Sequence, residues 1–525
     1  MLVTSRNPSW RQLATPVEVD VFIRDESIEL LRRLAPAVSV VEADRIAEQV
    51  GDLPLAMAQA AGVLAETAMT APEYLRELEV HAGSVMAEGK PARYPVPVAA
   101  VVQLSMDRLA AEDEAAAQLL RLCAHLAAEP IPVELFTAAP ADELPQPLRS
   151  AARSTMAMRS ILGRISRYGL ARVTGTGPHL HRLTKAIILD QLAPGDRGTV
   201  SGQVERLLVA AEPGDSRDPE NWPAWMLLLP HLLAVDPATS KNPALHRMAW
   251  EGTWYLLERG DLPTGSEIAE HLYRSWRVRL GPDDPATLHA AHNLASAYWR
   301  RGQHAHAAHL DRDTLARRRR RYGDDHVDTL LSAVQLSYTL CEMGRFEEAY
   351  RLNEDALHRL RKVHGENRRL TLGAAHNLAI MLEKLGRHDE ALSLNEDTYI
   401  RRRRSLGEHH PHTLLSMLTM SESLYQVGRK EEATRLSEET LIRSRNILGP
   451  DHYTTLDATA RNATMLHRTG RTRDALRLRQ ETLSRRIRAL GQDHPHTIQS
   501  AHDLAESLRA LGKTKNAQRI EAQYP

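Results

Sequence analysis

Cysteine, phenylalanine and net charge are what this chain has least of. Two cysteines, Cys123 and Cys341, stand far apart in apolar surroundings within 525 residues. That argues against a disulfide framework and fits a reducing cytoplasm. Phe occurs three times and aromatics make up 4% of the residues, so the cores must be built from Leu, Ala, Val and Ile. Small side chains of that kind suit close helix-on-helix packing, and the expected class is mainly α. Lys plus Arg balances Asp plus Glu at 67 each, which removes any global pull toward nucleic acid or anionic membrane. No window reaches the roughly 18 apolar residues of a membrane span, and no secretory leader pattern opens the chain. No Ser-His-Asp or Cys-His grouping stands out, and no carboxylate pair singles itself out. Ordinary enzymatic activity is not expected.

What is present is a period. GPDDPATL, GDDHVDTL, GENRRLTL, GEHHPHTL, GPDHYTTL and GQDHPHTI begin at Gly281, Gly323, Gly365, Gly407, Gly449 and Gly491, each step being 42 residues. Thr287, Thr329, Thr371, Thr413, Thr455 and Thr497 keep phase. So do Gly302, Gly344, Gly386, Gly428, Gly470 and Gly512, and Ala307, Ala349, Ala391, Ala433, Ala475 and Ala517. Such a repeat is a solenoid of helix pairs. An acidic residue after the first glycine can cap helix A, with Pro285, Pro411 and Pro495 in its first turn. The second glycine supplies the turn, and the alanine lets helix B approach closely. Leu294, Leu336, Leu378 and Leu504 mark the buried stripe of helix A, with Met420 replacing them once and Asn462 breaking it. Gly260 keeps phase and implies a degenerate leading repeat over 239–280, with Gly265 where alanine is expected.

The unit resembles the tetratricopeptide repeat in the long form seen in kinesin light chains. The resemblance implies an inner groove, lined by helix A, for an extended peptide or helix. Kinesin light chains carry Asn-Asn-Leu-Ala on that face. Here the matching stretches read HNLA at His292–Ala295 and His376–Ala379. Asn293 and Asn377 are therefore candidates to grip peptide backbone, with His292 and His376 beside them. Gln335 and Asp503 hold the same position in other repeats, where Thr419 and Arg461 depart from it. The alternative is that these amides bridge neighbouring helices.

Upstream, Glu26–Leu34, Glu42–Val50 and Asp52–Thr67 read as amphipathic helices. Val98–Leu109, Asp113–Ala128 and Thr155–Tyr168 follow, then a hairpin from Leu170–Val173 and His179–Leu183 across TGTG. GDLPLAMAQAAGVL resembles the GLPLA motif of the NB-ARC class of STAND nucleotide switches. MLVTSR resembles the strand whose terminal Arg senses phosphate, and LHRLTKAII resembles the Met-His-Asp motif, with Arg182 in place of the Asp. The resemblance implies residual ADP/ATP contacts at Arg6 (phosphate), Pro54 (base) and His181 (β-phosphate). A phosphate cradle needs successive backbone N–H groups, a Lys and a hydroxyl for magnesium. Gly83–Pro91, Gly512–Thr514 and Ile187–Asp190 are only decoys for its parts. No cofactor is expected for this chain. The family's P-loop would lie upstream of Met1, through either a start placed too late or a truncated gene.

Seven histidines (His326, His409, His410, His412, His452, His494 and His496) cluster in repeat corners. Most are about one repeat apart, too far to share an ion, and helix-start capping or solvent exposure is expected. The runs Arg317–Arg321 and Arg401–Arg404 read as solvated helix ends. Arg159, Arg164 and Arg167 could face a major groove, so a DNA-binding regulator is an alternative.

The expected architecture is a P-loop-domain remnant over 1–24, an NB-ARC-like helical bundle over 25–96 and a winged helix over 97–195. A helical connector over 196–238 and a right-handed tetratricopeptide solenoid over 239–525 complete it. The apolar stretch Trp222–Leu233 of the connector is expected to bury against the repeats. The layout also resembles tetratricopeptide proteins of actinobacterial FxSxx-COOH peptide systems. The expected function is protein or peptide recognition as the sensor part of a STAND switch lacking its phosphate loop. One alternative is an ADP/ATP-binding switch with its P-loop upstream. Self-association is possible in such a design; a membrane or nucleic-acid partner is not expected.

Overall fold

The computed structural model describes residues 21–524 apart from 68, 88–96, 141 and 493. The strand proposed around Leu2–Thr4, and Arg6, lie outside the described residues. The chain divides into two compact units. One runs to Gly214 and takes in Pro223–Ala249; the other is Asp215–Trp222 with Trp250–Pro525.

The first unit starts with helices α1 (Arg24–Leu34), α2 (Val40–Val50), α3 (Pro54–Thr67), α4 (Ala71–Val80) and α5 (Ala82–Val85). Ser39 opens α2 with a capping box, its hydroxyl accepting from Glu42 N while the Glu42 carboxylate accepts from Ser39 N at 2.9 Å. Gly51 closes α2 in the left-handed region at φ 67°. Next come α6 (Val98–Glu112), α7 (Glu114–Ala124), α8 (Glu134–Thr137), α9 (Leu148–Ala152) and α10 (Thr155–Arg167). Strands β1 (Arg172–Val173) and β2 (Pro178–His179) pair antiparallel, then α11 (Arg182–Gln191) and α12 (Pro194–Ala210) follow. The second strand is shorter than its apolar pattern suggests. His181 caps α11, its Nδ1 accepting from Leu183 N at 3.2 Å. Leu119, Leu120, Leu126, Ile131, Leu180 and Ile187 form fully buried parts of this unit.

Helix α13 (Trp222–Ala234) departs from its expected placement. From Pro223 on it belongs to the first unit, where Trp225, Leu228, Leu229 and Leu232 are buried and His231 Nδ1 accepts from Ala127 N at 3.2 Å. Apolar content predicts burial but does not name the partner surface.

The second unit is a stack of helical hairpins: α14 (Pro243–Arg259), from Trp250 on, with α15 (Leu262–Arg279), α16 (Pro285–Arg300) with α17 (His304–Tyr322), and α18 (Val327–Glu342) with α19 (Phe346–His364). These continue with α20 (Arg369–Lys384) and α21 (His388–Leu406), α22 (Pro411–Gln426) and α23 (Lys430–Leu448), α24 (Tyr453–Arg468) and α25 (Thr472–Leu490), and α26 (Pro495–Ala510) and α27 (Thr514–Gln523). From α16 on, helix A always has 16 residues, and helix B has 19 in every copy except the last. The in-phase glycines all hold positive φ, such as 94° at Gly281 and 73° at Gly302, where side chains are strained. The in-phase alanines, Ala307 through Ala517, are each 0% exposed. At that phase in the first hairpin, a Cβ on Gly265 would stand 2.9 Å from Leu257 Cδ2, so glycine there permits a closer helix approach than alanine. The in-phase leucines are buried, and Asn462 is accommodated in the same stripe by donating to Ser437 Oγ at 3.3 Å.

Two polar devices repeat along the stack. Arg317, Arg359, Arg401, Arg443 and Arg485 each bind an acid four residues back and a polar side chain in the preceding corner, as Arg359 does with Asp355 at 2.9 Å and Asp325 at 2.8 Å. Next to them in every second hairpin stands a buried arginine. Arg402 donates to His412 O at 2.8 Å, Ser416 Oγ at 2.9 Å and Leu372 O at 3.1 Å, joining its own helix pair to the next helix A. Arg318 and Arg486 do the same with Ser332 and Ser500. The arginine runs are thus not wholly solvated: Arg318 is 0% and Arg402 3% exposed.

Candidate functional site

The corners carry the site's frame. His326, His410, His452 and His494 are helix N-caps, each accepting through Nδ1 from the backbone N–H two residues on, at 3.1–3.2 Å. That use of histidine matches the capping expectation, and no metal-binding cluster occurs among the described residues.

Two of these caps also close the solenoid on itself. The free Nε2 of His452 lies 3.1 Å from Glu258 O, and that of His494 lies 2.6 Å from Arg300 O, both across 194 residues. Around them the Arg300 guanidinium pairs with Glu258 at 2.7 Å and lies over the Tyr453 ring at 5.0 Å, while Leu490 packs with Leu257, Leu262 and Ala297. The late corners therefore dock on the early helix A ends.

This closure borders a partly open cavity of about 340 Å³ on the inner face, lined by A helices from α14 to α26. Its walls are aromatic and aliphatic at Trp254, Trp299, Tyr338, Ile380 and Tyr453. Its polar face carries the Arg461–Asp457 pair at 2.9 Å, whose side chains remain 40% and 34% exposed. Burial pushes the Asp457 carboxyl up, but the Arg461 and Arg486 guanidiniums outweigh it and hold the group below its usual range. Burial raises Glu342, with Lys384 and Arg461 offsetting only part of that. Trp254 Nε1, Trp299 Nε1 and Ser296 Oγ have no partner among the described residues. Unpaired buried donors of this sort gain most from a ligand that accepts from them.

The expected groove residues divide. Gln335 and Asn377 line the cavity, and so do the in-phase Thr419 and Arg461. His376 lines it too, buried, with its pKa driven well below the usual histidine value by burial. Asn293 instead donates to Trp250 O at 2.8 Å, bridging to helix A of the preceding hairpin, and His292 stacks on Trp254 with ring centres 5.5 Å apart. Asp503 lies outside the cavity lining; its carboxylate accepts from Gln499 at 2.8 Å and its carbonyl from Arg479. The column Trp254, Ser296, Tyr338 and Ile380 escaped the sequence reading, although it keeps the 42-residue phase three residues beyond the amide column. On a helix that spacing shares a face.

In the first unit, Pro54 begins α3 and His181 stands beside it, with Nε2 3.1 Å from Gly51 O, while Arg182 donates to Glu48 O at 2.6 Å. The two motifs likened to a nucleotide switch do meet. Both ring nitrogens of His181 are engaged within the protein, at Leu183 N and Gly51 O. On α10, Arg164 is held by Asp113 and Glu112 rather than free.

Stacked hairpins with glycine turns and alanine contacts define a tetratricopeptide repeat solenoid. The chain matches the tetratricopeptide repeat family at residues 287–328, 327–403, 370–446 and 454–524. No curated protein matches the chain. Kinesin-light-chain-type TPR-like repeats from Podosopora anserina are similar at 23% identity, covering 38% of this chain and 95% of that one, with a TM-score of 0.32. A STAND protein with a tetratricopeptide repeat sensor from Pyrococcus horikoshii is similar at 14% identity over 97% of this chain and 73% of that one, TM-score 0.40. A Rap protein complexed with competence and sporulation factor is similar at 12% identity over 63% and 94%, TM-score 0.38. Scores this low assign no ligand or partner to this chain. No helix among the described residues is long and apolar enough to cross a membrane.

Proposed function

We propose that this chain is a cytoplasmic recognition protein whose inner face takes a segment of a partner protein or a short peptide. Its work is binding rather than catalysis. The observation that carries the reading is the cavity: aromatic walls, a charged pair at one side, and three buried donors without partners. The walls would take an apolar side chain, while Gln335, Asn377 and Arg461 supply amide and guanidinium groups for backbone or carboxylate. Recognition by such a solenoid fits a sensor arm, and the first unit would then be the regulated part of a STAND-like switch.

Nucleotide is not part of this reading, because His181 has no ring nitrogen left for a phosphate. Calorimetric titration with ADP is expected to give no heat of binding. For the main reading, a random peptide library is panned on the full chain and counter-selected on Trp299→Ala/Arg461→Glu. Enriched peptides should lose about tenfold or more in affinity on that variant. Equal binding to both proteins would refute the assignment to the cavity.

A further inference from the structure

Asp215–Trp222 is a strap between two stretches of the first unit, yet it belongs to the solenoid unit. It makes a short turn, and its backbone bonds, Asp218 N to Asp215 O and Asn221 N to Asp218 O, close within it. Side chains hold it to the solenoid. Asp215 pairs with Arg369 at the start of α20, and Ser216 donates to Glu251 of α14 at 2.5 Å. The Arg217 guanidinium lies 5.0 Å from the Trp254 ring centre. Trp222 stacks on His452 at 5.8 Å and meets Tyr255 edge-on at 6.4 Å.

The position follows from the closure geometry. His452 meets residue 258 and His494 meets residue 300, each across 194 residues. The same offset from the preceding corner, His410, falls on Ser216, beyond the start of the first hairpin. His410 lies 3.4 Å from Arg369, the residue that holds Asp215. The hairpins run out one register too soon, and the strap fills the place that remains.

We infer that this rim, formed by Arg369, His410 and His452 facing Glu251, Trp254 and Tyr255, is a second binding surface, and that its partner is an acidic peptide carrying one aromatic residue. The strap, DSRDPENW, is an internal copy of that peptide. Three features favour exchange over permanent structure. Among the described residues, Asp215–Asn221 make no backbone bond to a solenoid helix, Asp215 stays 47% exposed in its ion pair, and Arg369 Nε is buried without a partner. An incoming peptide with a better-placed carboxylate gains that last donor. This surface lies at the closure line and shares Trp254 with the inner cavity, so its test is placed on Asp215, Trp222 and Arg369, which lie outside the cavity lining.

The test uses the full chain and a labelled peptide spanning residues 214–223. Disabling the strap with Asp215→Ala/Trp222→Ala should raise peptide affinity about tenfold or more over the unaltered chain. Adding Arg369→Ala should abolish the gain, and a scrambled peptide should not bind. A folded strap variant that binds no better, or that binds the scrambled peptide equally, overturns the proposal. Should the double variant fail to fold, hydrogen exchange on the unaltered chain decides. Excess peptide should speed exchange at the Asp218 and Asn221 amides, and unchanged exchange at the highest soluble peptide concentration overturns it.

Discussion

Replacing Arg402 tests the packing logic of the solenoid most directly. Its guanidinium is buried, and it joins three helices through His412 O, Ser416 Oγ and Leu372 O. Burial, with Arg369 nearby, pulls its pKa down, so the charge is held at a cost. Arg402→Ala removes a long stem worth roughly 2 kcal/mol of packing. It also leaves buried acceptors under-satisfied at about 1–2 kcal/mol more. A loss of about 3 kcal/mol, roughly 150-fold in a folding equilibrium, is expected. The preceding hairpin shows a second solution, since Leu360 stands at the arginine phase and Ala374 at the serine phase, both buried. Arg402→Leu/Ser416→Ala should therefore stay within about 1 kcal/mol of the unaltered chain, because apolar replacement of a buried charge group is often neutral or better. Urea unfolding by circular dichroism, with amide exchange across residues 372–416, reads both. The reasoning fails if the alanine variant keeps its stability, or if the double variant is as weak as the alanine one.

Asp311 predicts a pH effect. Burial raises its carboxyl to about 7, against the Thr339 hydrogen bond and the Arg318 and Arg312 charges. A carboxyl raised on folding stabilises fully below its unfolded pKa, about 4, and that stability is lost as pH climbs through about 7. Asn353 and Asn395 occupy the same phase, so Asp311→Asn should fit. It should be more stable than the unaltered chain at pH 8, by at most about 4 kcal/mol. The difference should shrink toward pH 4 in urea midpoints; parallel pH profiles would refute this. In the first unit, a Cβ on Gly51 would stand 2.3 Å from His181 Nε2 at a backbone φ of 67°. Gly51→Ala should cost about 1–3 kcal/mol, combining left-handed strain with a displaced ring. Thermal melts of Gly51→Ala, His181→Ala and the pair should show that the second change recovers the clash but not the strain.

The repeat was readable because its constraints are local. A positive φ at Gly302 or a zero-clearance contact at Ala307 restricts residue identity wherever it recurs, so period and turn placement came directly from spacing. The capping histidines followed for the same reason. The fates of Asn293 and Asn377 were not readable, although they share one phase. Asn293 meets a carbonyl of the preceding hairpin, while Asn377 faces the cavity, and a phase says nothing about what stands across from it. The buried Arg318, Arg402 and Arg486 hid inside runs of exposed arginines. Their signature was a double period shared with Ser332, Ser416 and Ser500, visible only when two columns are compared. Contacts at 194 residues depend on the accumulated rotation of the stack, which no single repeat records.

Joining corners His452 and His494 to Glu258 and Arg300 at one constant separation also limits how this array can change in length. An open stack tolerates the gain or loss of a unit, because each copy touches only its neighbours. Excising any one copy between Gly323 and Leu448 would bring both clasping histidines to the wrong carbonyls together. Copy number here is set by circumference, and evolution by simple duplication would have to reopen the loop first.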